Sequence, residues 1–215
     1  SFPIGGQTAY SMIRKLQLKP GEKVLVTAAT SNTSLFAISA LKNLPVRIFA
    51  LTTRADFNDR LKELGVEETF VIPRGLQSLA EDKTILDFIR REGAFDAVID
   101  PFFDVYLGQV VDVMAMEGRY TTCGMYAQPH VGEESEVEKL PKDLNHIMGM
   151  AMIKNLQLIG NCIGNTGDLA RSIQDYADGK LEVVIDAVFH GDQVSDFFDR
   201  SFNAPDRFGK VVYAY

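Results

Sequence analysis

Only two cysteines, three histidines and 22 basic residues occur in the 215 positions, and each shortage removes a class of function. Cys123 and Cys162 each sit in an apolar stretch, so a disulfide framework is not expected and a reducing, cytoplasmic setting is. His130, His146 and His190 are isolated and neither cysteine has a partner at zinc spacing, so the expectation within the chain is no metal site. With 29 acidic residues the net charge is −7 and the isoelectric point about 5.0, which argues against an electrostatic grip on nucleic acid or an anionic membrane. No uncharged run approaches the ~20 residues of a membrane span, and the opening SFPIGGQTAY does not read as a signal peptide. No Ser/His/Asp or paired-carboxylate arrangement stands out, and no internal repeat or low-complexity tract is visible.

A further shortage falls at the most informative place. Residues 23–40, KVLVTAATSNTSLFAISA, read as a strand, a tight turn of small residues and the start of a helix, with no glycine in the turn. The run at 23–27 is short, apolar and β-branched, as in strands buried on both faces of a parallel sheet. From Ser34 onward Leu35, Ile38 and Leu41 recur at helical spacing. Such a turn aims the helix N-terminus, with its free N–H groups and positive dipole end, at whatever lies above the sheet, a geometry that suits phosphate.

Strand-like runs recur at 24–27, 46–51, 69–72, 97–100 and 120–123, separated by segments of helical period that several times end before a glycine: Gly65, Gly93, Gly179. This alternation predicts an α/β fold with a doubly wound parallel sheet. The stretch 127–141, with Glu133, Glu134, Glu136 and Glu138, reads as a solvated surface loop. The methionine-rich stretch 144–153 reads as adaptable core or interface packing rather than a metal site.

GQTAYSMI, LKPGEKVLVTAA, FALTTR, RLKELGVEE, FDAVIDP, EGRYTTCGMY, KNLQLIGNCIG and FGKVVYAY follow one another in an order that resembles the medium-chain dehydrogenase/reductase superfamily. The closest look is to quinone-oxidoreductase-like and zinc-type alcohol dehydrogenase members, and the resemblance runs from Pro3 to Tyr215. It implies a Rossmann domain over residues 1–187, including a linker helix, and a C-terminal return segment over 188–215. The family's GroES-like substrate domain has no counterpart in the sequence, so the chain is expected to be a truncated or stand-alone cofactor half. By resemblance, the strand 156–160 and the helix before it form a homodimer seam. Where zinc alcohol dehydrogenases carry a cysteine four residues before the TxY of the linker helix, this sequence has Ile4, which favours the zinc-free branch.

The resemblance implies glycines in the first turn where this chain has Ala28, Ser31, Asn32 and Ser34. Serine hydroxyls, the Asn32 amide, Thr33 and the helix N-terminus could still hold a pyrophosphate; alternatively Ser31 or Asn32 simply caps the helix. After the second strand the run Thr52, Thr53, Arg54 has no acid until Asp56. Two hydroxyls and a guanidinium suit a 2′-phosphate, so NADP(H) is the expected cofactor; the other reading is a helix capped by Thr53 beside a solvated arginine. By resemblance Cys123, Gly124 and Met125, and Asn161, Cys162 and Ile163, lie near the nicotinamide. Cys123 reads better as a buried small hydrophobe than as a nucleophile.

Two functional classes follow. One is the NADP(H)-binding domain of an oxidoreductase that moves hydride to or from a carbonyl, enone or quinone, with dinucleotide and small-molecule substrate as partners. The other is a non-catalytic Rossmann module for dimerisation or regulation that has lost the dinucleotide, motivated by the glycine-free turn and by Phe102 and Phe103 at the cleft. A methyltransferase-like fold is weaker, because such sites want an acid after strand two. The return strand around Val211, Val212 and Tyr213 is expected to pack on a neighbouring subunit or lie disordered.

Overall fold

The computed structural model describes residues 2–73, 75–126, 144–204 and 206–214. The acidic stretch 127–141, with His130, therefore lies outside the described residues, as does Tyr215. The element order is α1 (Phe2–Leu16), β1 (Lys23–Val26), α2 (Asn32–Leu41), β2 (Arg47–Thr52), α3 (Asn58–Glu63), β3 (Glu68–Val71), α4 (Lys83–Glu92), β4 (Phe95–Asp100), α5 (Phe103–Val110), β5 (Met114–Thr122), α6 (Leu144–Lys154), β6 (Gln157–Gly160), α7 (Thr166–Ala177), β7 (Ile185–His190), α8 (Val194–Phe202) and β8 (Lys210–Ala214).

Six strands form one parallel sheet in the order β3-β2-β1-β4-β5-β6. The order reverses direction between β1 and β4, so their carboxyl ends form the crevice where doubly wound sheets take ligands. Strand period two divides the core. Val24, Val26, Ala50 and Ile99 pack on the α1 and α2 side, while Leu25, Phe49, Leu51 and Val98 pack on the other. The second layer is built around Phe49, Phe70, Phe88 and Phe95, whose ring centroids lie 4.8 to 6.4 Å apart, mostly edge to face.

Strand β5 begins at Met114, six residues before the expected 120; its first half lacks the regular inside-outside alternation by which a strand is read from sequence. Its pairing with β4 shifts register between Phe95 and Ala97, Met116 and Glu117 point to solvent, and Glu117 has φ +59°. The methionine-rich helix α6 is not core: Ile147 is its buried residue, while Met148 and Met152 are exposed.

The return segment departs from expectation. Val211, Val212 and Tyr213 neither wait for a neighbour nor lie disordered; they pair in parallel with Ala187, Val188 and Phe189 of the same chain. Helix α8 makes the crossover, and Asp186 fixes it by accepting Arg200 Nε and Nη2 at 2.6 and 2.8 Å and the Phe208 N–H at 2.9 Å. Val211 and Phe208 are buried, so residues 185–190 supply the partner edge that was expected from a neighbouring subunit. Strand β7 runs across residue 187.

Candidate functional site

The turn after β1 is tied down on both sides. The Thr27 N–H donates to the Ile99 carbonyl and the Ala29 N–H to the Leu51 carbonyl, both at 3.0 Å, so neighbouring strand ends hold it. Ala28 stands at φ +43°, the left-handed region that favours glycine. Ser31 is the N-cap of α2: its side chain accepts the Ser34 N–H at 3.3 Å. Ser34 is fully buried and its hydroxyl donates to the Thr27 carbonyl at 2.7 Å, so its N–H and O–H are both used within the turn. The N–H groups of Asn32 and Thr33 precede any intrahelical acceptor and have no partner among the described residues. They are open donors at the start of α2. The Asn32 amide lies over α1, where a Cβ on Gly5 would meet it at 3.0 Å and the Phe36 ring at 2.6 Å.

Beneath the turn sits a buried acid that sequence reasoning did not count as a site residue. Asp100, at the end of β4, accepts the Thr27 hydroxyl at 2.6 Å, the Phe102 N–H at 2.8 Å and the Tyr120 hydroxyl. Burial outweighs those three donors and pushes its carboxyl up to about 6. The signal available was an acid closing the apolar strand FDAVID, where a solvated loop residue would be free to face water.

At the end of β2, Thr52 is buried and its hydroxyl accepts the Arg54 N–H at 3.2 Å; Thr53 is half-buried. Thr53 does not cap a helix, since α3 starts at Asn58 with Phe57 in the cap position. Arg54 is paired with Asp56, which accepts from both Nε and Nη2, and its guanidinium lies 5.7 Å from the Phe57 ring. Phe57 in turn packs on Phe208 at 4.7 Å, and the adjacent Gly209 N–H donates to the Thr30 carbonyl at 3.4 Å. Residues 208 and 209 thus brace the Arg54 loop and the first turn together.

The far side of the crevice carries Cys123, Gly124 and Met125 after β5 and Asn161, Cys162 and Ile163 after β6. Burial and the neighbouring Asp100 push the Cys123 thiol up to about 11, so it is a thiol at neutral pH. A Cβ on Gly124 would meet the Pro101 carbonyl oxygen at 3.0 Å. Asn161 is buried and engaged: it accepts the Ser11 hydroxyl at 2.7 Å and donates to the Ile163 carbonyl at 3.1 Å. Cys162 is exposed, and Ile163 is exposed at φ +54°. Phe102 and Phe103 are half-buried against the core, with the Phe102 ring edge-on to Tyr126 at 5.8 Å.

These residues gather at the carboxyl edge of the sheet, with Ser34, Thr52 and Asn161 buried within it. Among the described residues no cluster of three metal-ligating side chains occurs, and no helix is long and apolar enough to cross a membrane. A cavity of about 500 Å3, lined by Tyr10, Arg14, Arg171 and Asp175, lies at the opposite end of α2 and takes no part in this edge.

No protein-family model matches the chain. Over 221 residues it is 26% identical to a phenolphthiocerol/phthiocerol polyketide synthase of Mycobacterium tuberculosis, covering 99% of this chain and 9% of that protein. It is 22% identical to an NAD-dependent alcohol dehydrogenase of Saccharolobus solfataricus, covering 92% of this chain and 52% of that one. The crystal structure of an NAD-dependent alcohol dehydrogenase superposes with a TM-score of 0.79 at 25% identity, covering 99% of this chain and 57% of its own. A 2-octenoyl-CoA carboxylase reductase solved with NADP and 2-octenoyl-CoA shares the fold, with a TM-score of 0.77 at 20% identity over 98% of this chain and 48% of its own. The chain spans about half the length of these dehydrogenases and reductases, and a small fraction of the synthase.

Proposed function

We infer that this chain, which has the fold and element order of the cofactor-binding half of a medium-chain dehydrogenase/reductase, is the NADP(H)-binding domain of an oxidoreductase. The observation that carries the reading is the pairing of two anion-seeking features on neighbouring strands. The open N–H groups of Asn32 and Thr33 follow β1, and the Arg54 guanidinium follows β2. The first suits a pyrophosphate at a helix N-terminus and the second a ribose 2′-phosphate.

The bound dinucleotide would supply the hydride, exchanged with a carbonyl, enone or quinone. The chain's own work is binding and orientation. Ser31 fixes the start of α2, Ala28 and Ala29 set the turn beneath the pyrophosphate, and Thr52, Thr53 and Arg54 select the ribose substituent. Cys123 to Met125 and Asn161 to Ile163 form the nicotinamide wall, with Asn161 acting through the backbone it fixes and Cys123 contributing bulk as a neutral thiol.

The partner we assign is a second copy of the chain. Strand β6 is the sheet's edge; Leu158 on it and Met148, Met152 and Ile153 on α6 are exposed. Light scattering after size exclusion is expected to give a dimer mass, and a monomer at every concentration would refute this assignment.

The test of the cofactor reading is the NADPH dissociation constant of Arg54→Glu, followed by nicotinamide fluorescence. Loss of the fork and gain of a like charge are expected to weaken NADPH at least ~30-fold and NADH by less than ~3-fold. Equal effects on both would remove Arg54 from the 2′-phosphate site. One observation favours the second reading, a module without dinucleotide: Ser34 has no donor to spare. Absence of binding at millimolar dinucleotide would establish that reading.

A further inference from the structure

Arg54 does not stand open for a phosphate. Its Nε and Nη2 form one edge of the guanidinium, the edge suited to bidentate binding of an oxyanion, and both donate to the same oxygen, Oδ2, of Asp56. Asp56 is two residues along the chain, and its side chain is 61% exposed against 33% for Arg54. The acid therefore sits on the rim while the guanidinium is held over Phe57, which packs on the buried Phe208. One partner is anchored and the other is free to swing.

We propose that Asp56 is a specificity-determining residue, an internal carboxylate that occupies the guanidinium edge and sets the balance between NADPH and NADH; this rests on the cofactor reading above. A 2′-phosphate carries more charge than a carboxylate and displaces Asp56 from Arg54 at small cost, because a rim ion pair contributes little. When the ribose carries a plain 2′-hydroxyl, Asp56 stays on Arg54 and its second oxygen, Oδ1, accepts that hydroxyl, which is the role an acid plays after the second strand of an NAD site. The two residues together let one loop accept either ribose, with the arginine favouring phosphate and the acid moderating that preference. An arginine without the acid would discriminate more sharply.

The discriminating experiment is calorimetric titration of the full chain and of Asp56→Asn with NADPH and with NADH. Asparagine keeps the shape and removes the charge. The expected result is about threefold tighter NADPH and about threefold weaker NADH, so that the ratio of the two dissociation constants moves about tenfold toward NADPH. The thermal midpoint should stay within about 1 °C, since the pair is on the rim. Binding of both dinucleotides with an unchanged ratio would overturn the role of Asp56 and leave the cofactor reading standing. Failure of either protein to bind either dinucleotide would overturn both.

Discussion

Asp100 is fully buried, and among the described residues its partners are neutral donors from the turn after β1, from β5 and from the α5 entry. Its native carboxyl titrates near 6 against 3.8 when unperturbed, because burial disfavours the charge more than the donors favour it. The native state therefore holds a proton that the unfolded chain has released between pH 4 and pH 6. Stability from this group falls as pH rises through that window and is flat above it. In denaturant titrations Asp100→Asn is expected to gain about 3 kcal/mol relative to the parent between pH 4 and pH 6.5. A difference independent of pH would contradict the assignment. Ala28 offers a second test at this scale. Its φ of +43° costs an alanine and not a glycine, so Ala28→Gly is expected to stabilise the chain by about 0.5–1 kcal/mol in chemical unfolding. Residue types in the first turn were legible as small and capable of capping. Which hydroxyl stays accessible was not, because Ser31 and Ser34 read alike in sequence while the fold buries only the second.

Helix α1 is pinned to the β6–α7 connection by a polar seam: Gln7 donates to the Gly164 and Asn165 carbonyls, Ser11 to Asn161, and Arg14 to both oxygens of Asp168. The Asp168 side chain is 5% exposed and the Arg14 contact holds its carboxyl below the usual range. That contribution is present above the unfolded carboxyl pKa and is lost as pH falls through the native one. In denaturant titrations Arg14→Ala is expected to lower the unfolding midpoint at pH 7 by leaving the buried Asp168 carboxylate without its cation, with the difference shrinking below pH 4. A second element-scale test lies in the return crossover. Gly209 has φ +99°, and a Cβ there would sit 2.5 Å from the Val184 carbonyl oxygen, with no flexible side chain to yield. Gly209→Ala is expected to destabilise by more than about 2 kcal/mol and to loosen the brace on Thr30 and Phe57, read as lowered unfolding midpoint and weaker dinucleotide binding together. Strand positions 24–27 and 97–100 were legible because strands buried on both faces leave continuous apolar runs. The β7–β8 pair was not, since two half-exposed strands joined through α8 reveal their partnership only in three dimensions.

For the whole molecule, the parallel sheet and its crevice follow from the alternation of buried strands and amphipathic crossovers, and the chain bears them out in the order β3-β2-β1-β4-β5-β6. With a net charge of −7, attraction for a polyanionic dinucleotide must come from local features, namely the open N–H groups of α2 and Arg54. Dinucleotide binding by a turn built of alanine, serine, threonine and asparagine rests on those two features. The measurement that tests it most directly is a calorimetric titration of the unmodified chain with NADPH and, in parallel, NADH. A micromolar dissociation constant for NADPH with weaker NADH is the result this account expects. No heat with either dinucleotide at millimolar concentration, or tighter binding of NADH, would contradict it.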